Sequence, residues 1–186
     1  METGAFQFRD LRQEPDMPDR LRPMTAVDDG EVVVFLIGMT FNRLWKPKSW
    51  WPVFVAMPKM LRELSTTPEL GLLSSRMMID RHGPTLVQYW RSHDHLEAFA
   101  RAKDRKHLPA WSAFYKSPAA SNGDVGIWHE TFVTQPSDRE TIYFATPRFG
   151  FADAAARVEP IGPGQETSRK RRDDQRVNDP GSIPAA

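Results

Sequence analysis

Cysteine is absent from the 186 residues, which excludes a disulfide framework, a thiolate metal site and a cysteine nucleophile. An excess of one charge is missing too: 25 basic side chains stand against 24 acidic ones, and a dedicated nucleic-acid binder would need a stronger field. No run approaches the ~20 apolar residues of a membrane span. The N-terminal string METGAFQFRDLRQEPD lacks the apolar core of a signal peptide. Phosphate-cradling glycine loops, nicotinamide fingerprints and nucleophile elbows are also lacking. The expectation is a soluble, cytoplasmic protein with no nucleic-acid partner and no membrane contact. A weaker alternative lays Trp50 and Trp51, flanked by Lys46, Lys48 and Lys59, in a membrane interface.

What the chain does have is concentrated in its middle. Residues 1–29 are rich in acid and proline and read as an irregular arm. Residues 157–186 contain 11 charged residues and four prolines and read as a flexible charged tail, because so few apolar side chains cannot offset the entropy of ordering. The run Arg169-Lys170-Arg171-Arg172 is partly neutralised by Asp173 and Asp174, as suits a solvated segment. Residues 30–156 hold all five histidines and all six tryptophans, and they are long enough to bury a core without staples.

Within that middle, EVVVFLIGMT (31–40) reads as a strand buried on both faces. Ser49, a candidate cap, opens a helix through SWWPVFVAMPKMLRELSTT, with Trp51, Val55, Met60 and Leu64 near helical spacing and a bend at Pro58. LLSSRMMID (72–80) and TLVQYWRS (85–92), joined by Arg81-His82-Gly83-Pro84, read as an antiparallel hairpin. Ser92 caps a second helix, a shorter helical piece covers His107 to Tyr115, VGIWHETFVT (125–134) is a strand, and ETIYFATP (140–147) is a fifth strand or an edge extension. The order β-α-β-β-α-β is the ferredoxin-like split pattern, an α+β fold. Apolar residues on both faces of the strands at 31–40 and 125–134 call for a cover on the face without helices. A homodimer supplies it, forming a dimeric α/β barrel with a ligand cavity between sheet and helices.

The strings VVVFLIGMTFNRLW, LVQYWRSHDHLEAFAR, HLPAWSAFY and VGIWHETFV resemble those of a monooxygenase-like dimeric α/β-barrel family that includes a member from fumagillin biosynthesis. Its wider superfamily contains antibiotic-biosynthesis monooxygenases, haem-degrading monooxygenases, chlorite dismutases and aldoxime dehydratases. The resemblance spans about residues 30–155 and implies the fold more directly than a reaction.

Candidate chemistry centres on imidazoles and aromatics. His129 and Glu130 are adjacent in a strand and so face opposite ways; His129 goes with Ile127 and Thr131, Glu130 with Trp128 and Phe132. The Glu130 carboxylate calls for a partner, and Arg76 or Arg91 is the expectation. His107, with Trp111 one turn on, offers a helical imidazole over an apolar surface, the arrangement an axial haem ligand requires. His82 reads as a local turn residue and His93 and His95 as surface imidazoles near a helix start, with no metal triad among them. Gln88 and Trp90 share one face of a central strand and form the expected pocket wall, with Trp111 and Trp128 as further aromatic lining and Asn42, Tyr89 or Ser75 as hydrogen-bonding groups.

The leading expectation is therefore a small monooxygenase for a hydrophobic, electron-rich metabolite of secondary metabolism that uses no cofactor. In it His129 or His107 moves the proton and Arg76 or Asn42 steadies the developing anion. The alternatives are a haem b enzyme of dehydratase or peroxidase type ligated by His107 or His129, and a non-catalytic module that binds a hydrophobic ligand.

Overall fold

The structure, a computed structural model, describes residues 21–102, 112, 114–117, 120 and 122–177. In chain order the elements are β1 (Met24–Val27), β2 (Val32–Phe41), α1 (Pro47–Ser65), β3 (Leu72–Ile79), β4 (Pro84–Trp90), α2 (His93–Arg101), β5 (Val125–Thr134), the short α3 (Phe151–Ala154), β6 (Arg157–Pro160) and α4 (Ser168–Val177). Strands β2 to β5 form one antiparallel sheet in the order β3-β4-β2-β5. Each helix connection skips a strand: α1 links β2 to β3 with β4 between them, and α2 links β4 to β5 with β2 between them. This is the ferredoxin-like α+β topology expected from the element order.

Register decides which residues meet. On β2, Val33, Phe35 and Ile37 stand opposite Trp90, Gln88 and Leu86 of β4. On the other side of β2, Phe35 and Ile37 stand opposite Thr131 and His129 of β5. Because side chains alternate, all of these point to the face that α1 and α2 cover. Val33, Leu64, Trp90, Leu96 and Phe99 close one end of that layer, and Met39, Met57, Leu86 and Val125 close the other. The β3–β4 hairpin is tied by Asp80, whose Oδ1 accepts from the backbone N–H of His82 (2.7 Å) and Gly83 (3.1 Å).

Several local expectations change. The buried stripe of α1 runs through Met57 and Leu64, with Val53 and Leu61 packed beside them; Trp51 is 55% exposed, so the stripe is turned relative to the expected one. Ser49 does not cap α1: Pro47 occupies the first turn and Lys46 the cap position, and the Ser49 hydroxyl bonds Asp124 instead (3.0 Å). Burial of β2 on both faces holds at Val32 and Val33 and again at Gly38 and Met39, while residues 34–37 between them are half-buried. In the stretch 140–147 only Tyr143 bridges, to Met24.

The two ends of the described chain carry structure where an arm and a tail were expected. β1 and β6 pair antiparallel over four residues each, and Val158 packs on a cluster of Ala26, Val32, Phe151, Ala152 and Ala155. In α4 the guanidinium of Arg171 is buried, bonding the Glu140 carboxylate and the carbonyl of Gln165. Composition misses this because two four-residue strands and one ion pair need hardly any apolar side chains once a neighbouring surface exists to receive them.

Candidate functional site

Between the sheet and its helices lies a cavity of about 1100 Å³, slightly above the usual range for small-molecule sites. Phe35, Ile37 and Leu86 form an apolar floor; Gln88, His129 and Thr131 are the polar groups set into it, and α1 contributes Val53, Met57 and Leu61 to the roof.

Gln88 is 6% exposed. Its Oε1 accepts from Trp90 Nε1 at 3.0 Å, and Trp90 is itself completely buried, packed on Phe99 with ring centroids 5.6 Å apart. His129 sits on the edge strand β5 beside Phe35 (5.7 Å between rings). Its ring is exposed and lines the cavity, so a bound molecule can reach it.

The structure separates the other expected residues from this group. Trp128 and Glu130 point to the opposite face of the sheet, Trp128 lying against Gly38. Arg76 is on β3, the far edge from β5, with two strands between them, or about 14 Å at ordinary strand spacing. The expected Glu130–Arg76 pair therefore does not form; Arg76 stacks on the Phe149 ring at 4.4 Å, and Glu130 is exposed with no ion pair to Arg91 among the described residues. Asn42 donates to the carbonyl of Gly123 (3.1 Å) in a loop clasp outside the cavity. Tyr89 faces away, against Phe151, where burial and the neighbouring Tyr143 hydroxyl push its pKa up. Ser75 shares the register of Gln88 but lies on an exposed edge. His107 and Trp111 fall outside the described residues.

Two features escaped the sequence reading. His93, taken for a surface residue, lines the cavity, followed at helical spacing by Glu97 and Arg101, which pair at 2.7 Å. The signal was present: Ser92 caps α2 by accepting from His95 N–H (3.3 Å), and the i, i+4, i+8 row places all three on one side. The second is Asp124, whose side chain is 3% exposed and bonds Arg43 at 2.8 Å and Lys46 at 3.2 Å. Burial acts to raise its pKa, but the hydrogen bonds from Lys46 and Ser49 and the charges of Lys46 and Arg43 outweigh it, leaving the carboxyl below its ordinary value. This carboxylate pins the β2–α1 turn to the start of β5, at the end of the chamber where Ser49 and Lys48 contribute lining.

His95 Nδ1 is engaged by Ser92 Oγ (2.7 Å) and His82 by Arg81 (2.9 Å). Among the described residues no cluster of three His, Asp or Glu is placed to hold a metal, and no helix is long and apolar enough to cross a membrane.

The profile of the Monooxygenase af470-like family matches residues 32–151, from the first strand of the sheet to the start of α3. The chain belongs to this family. Among solved structures, the af470-like chain is similar to an aldoxime dehydratase, with TM-score 0.56 and 18% identity over 73% of this chain and 46% of that one; it spans about half of the dehydratase's length. It is also similar to SnoaB, a cofactor-independent oxygenase from Streptomyces nogalater (TM-score 0.40, 14% identity, 57% of this chain and 95% of that one). A third similarity is to a dimeric ferredoxin-like protein from an uncultured marine organism (TM-score 0.35, 11% identity, 57% and 90%). At these identities the likeness is one of fold. No curated protein matches the chain.

Proposed function

We propose that this af470-like chain is a small monooxygenase for a hydrophobic, electron-rich metabolite such as a polyketide, terpenoid or aromatic of secondary metabolism, acting without a cofactor as a homodimer. One observation carries the reading: a large, mainly apolar chamber whose floor holds a reachable imidazole, His129. His129 removes a proton from an activated C–H of the substrate. The resulting carbanion gives an electron to dioxygen, the radical pair combines to a peroxide, and loss of water leaves a carbonyl where a CH₂ stood. The substrate supplies all the electrons, so no external reductant enters, and the protein contributes a base, orientation and exclusion of water. Arg76 and Asn42, outside the chamber, have no part in this scheme.

Dimerisation is supported by the part of the second sheet face that α3 and the β1–β6 pair leave open, where Met78, Phe132 and Trp128 are 45%, 51% and 37% exposed. Apolar side chains in such numbers on one face favour a partner.

An oxygen electrode with candidate substrates tests the proposal. Turnover should consume oxygen, and His129→Ala should lower kcat by about 10²–10⁴-fold, the usual worth of a positioned base. Binding without oxygen uptake would leave the molecule as a ligand-binding module.

A second reading is favoured by the same imidazole. The chamber is roomy enough for haem b, which His129 would hold through its iron, with Lys48, and Arg101 beside its partner Glu97, as the lining cations that would face its propionates. The haem would supply dehydratase or peroxidase-like chemistry. A stoichiometric Soret band that is lost on His129→Ala would favour it over the cofactor-free scheme.

A further inference from the structure

The floor of the chamber has a fixed polarity. Gln88 has one amide oxygen and two N–H donors, and the indole N–H of Trp90 claims the oxygen at 3.0 Å. Indole can only donate, so this bond allows a single orientation of the amide: oxygen toward Trp90, nitrogen away from it. Trp90 is fully buried and held against Phe99, so the indole has no room to swing aside and let the amide turn over. Gln88 Nε2 has no hydrogen-bond partner among the described residues, although the side chain is 94% withdrawn from solvent and lines the cavity. The nitrogen keeps some open surface, and a ligand that covered it without accepting its hydrogens would leave a costly unsatisfied donor.

We infer that Gln88 is the group that orients the ligand, and that the ligand presents a hydrogen-bond-accepting oxygen, a ketone, quinone or enolate, to Gln88 Nε2, with Trp90 as the positioning residue that fixes the sign of the contact. The inference rests on the chamber being the ligand site. It narrows the substrate class to carbonyl-bearing apolar molecules and assigns to Gln88 the anion-steadying role that the sequence had suggested for Arg76 or Asn42. Donors fixed in a dry site before charge develops stabilise an enolate more effectively than water does. A ligand offering only a donor to this spot would leave two donors facing each other.

The test compares 2-acetylnaphthalene, which has the acceptor oxygen, with 2-ethylnaphthalene, which matches it in size and lacks the oxygen. Affinities are read by quenching of tryptophan fluorescence, and the Gln88 side-chain N–H signals are followed by ¹⁵N-edited NMR on the unaltered protein. The expected result is a preference for the ketone of about tenfold, in line with one buried hydrogen bond, with the Gln88 N–H resonances moving for the ketone and not for the hydrocarbon. Gln88→Leu should abolish the preference while keeping hydrocarbon affinity. Since that change strands the indole N–H, the double variant Gln88→Leu/Trp90→Phe, which removes both partners, serves as the second check. Trp90→Phe alone frees the amide to turn and should reduce the preference without erasing it. Equal binding of the two probes with unmoved Gln88 signals overturns the donor assignment and leaves the chamber standing. Failure of both probes to bind overturns the chamber as a ligand site, and this inference with it.

Discussion

Gly71 shows how one missing side chain can set a connection. It adopts φ +87°, the left-handed region, directly after a short 3-10 turn, and an added Cβ would lie 2.5 Å from the His95 ring. Gly71→Ala should therefore cost about 1–3 kcal/mol through combined strain and overlap, read as a lower midpoint in urea with an unchanged slope. Asp124 makes a pH-dependent case. Its carboxyl, like that of Asp80, is held below its ordinary value in the folded chain. The stability each supplies is thus complete above the unfolded carboxyl value, near 4, and is lost as pH falls through the lower folded value. The melting temperature should fall below about pH 4. Asp124→Asn should melt lower at neutral pH and lose less on acidification, which a melting series from pH 7 to 3 would show.

For an element, what matters is which face it turns inward. In α1 the apolar residues Trp50, Trp51, Phe54 and Val55 offer more than one plausible stripe, and the sheet beneath selects the one through Met57 and Leu64. Leu64→Ala should cost about 2–5 kcal/mol, as for other closed core sites, whereas Trp51→Ala, despite removing a larger side chain, should stay within about 1 kcal/mol because the indole is 55% exposed. Equal losses by chemical denaturation would mean the helix presents a different face. In β5 the alternation itself was plain, and it already divided His129 from Glu130. Which of the two faces holds the chamber is set by the covering helices, and that information lies in α1 and α2.

Across the whole molecule, two surfaces depend on long-range pairing. The second sheet face, where α3 and the β1–β6 pair leave it open, carries Trp128, Phe132 and Met78. The double change Trp128→Glu and Phe132→Glu should convert a dimer to a monomer in light scattering and leave the far-ultraviolet spectrum intact; an unaltered mass would place the interface elsewhere. The C-terminal segment is the other case. Truncation after residue 156 removes β6 from β1, Val158 from its cluster and Arg171 from Glu140, so the shortened chain should melt well below the full one. Equal melting would return the segment to the status of a tail.

The sequence alone determined the element order from β2 to β5, the hairpin, the cap of α2, the ferredoxin-like topology and the shared face of Gln88 and Trp90. All of these follow from local rules of periodicity, turn chemistry and chain connectivity. Tertiary structure decided the rest: that Arg76 and Glu130 lie on opposite edges of the sheet, that His93 joins the chamber, that Asp124 is buried among cations, and that residues 157–177 pack on the domain. Each of these depends on distances between segments far apart in the chain, and such distances are set by strand order and by which surfaces find a cover.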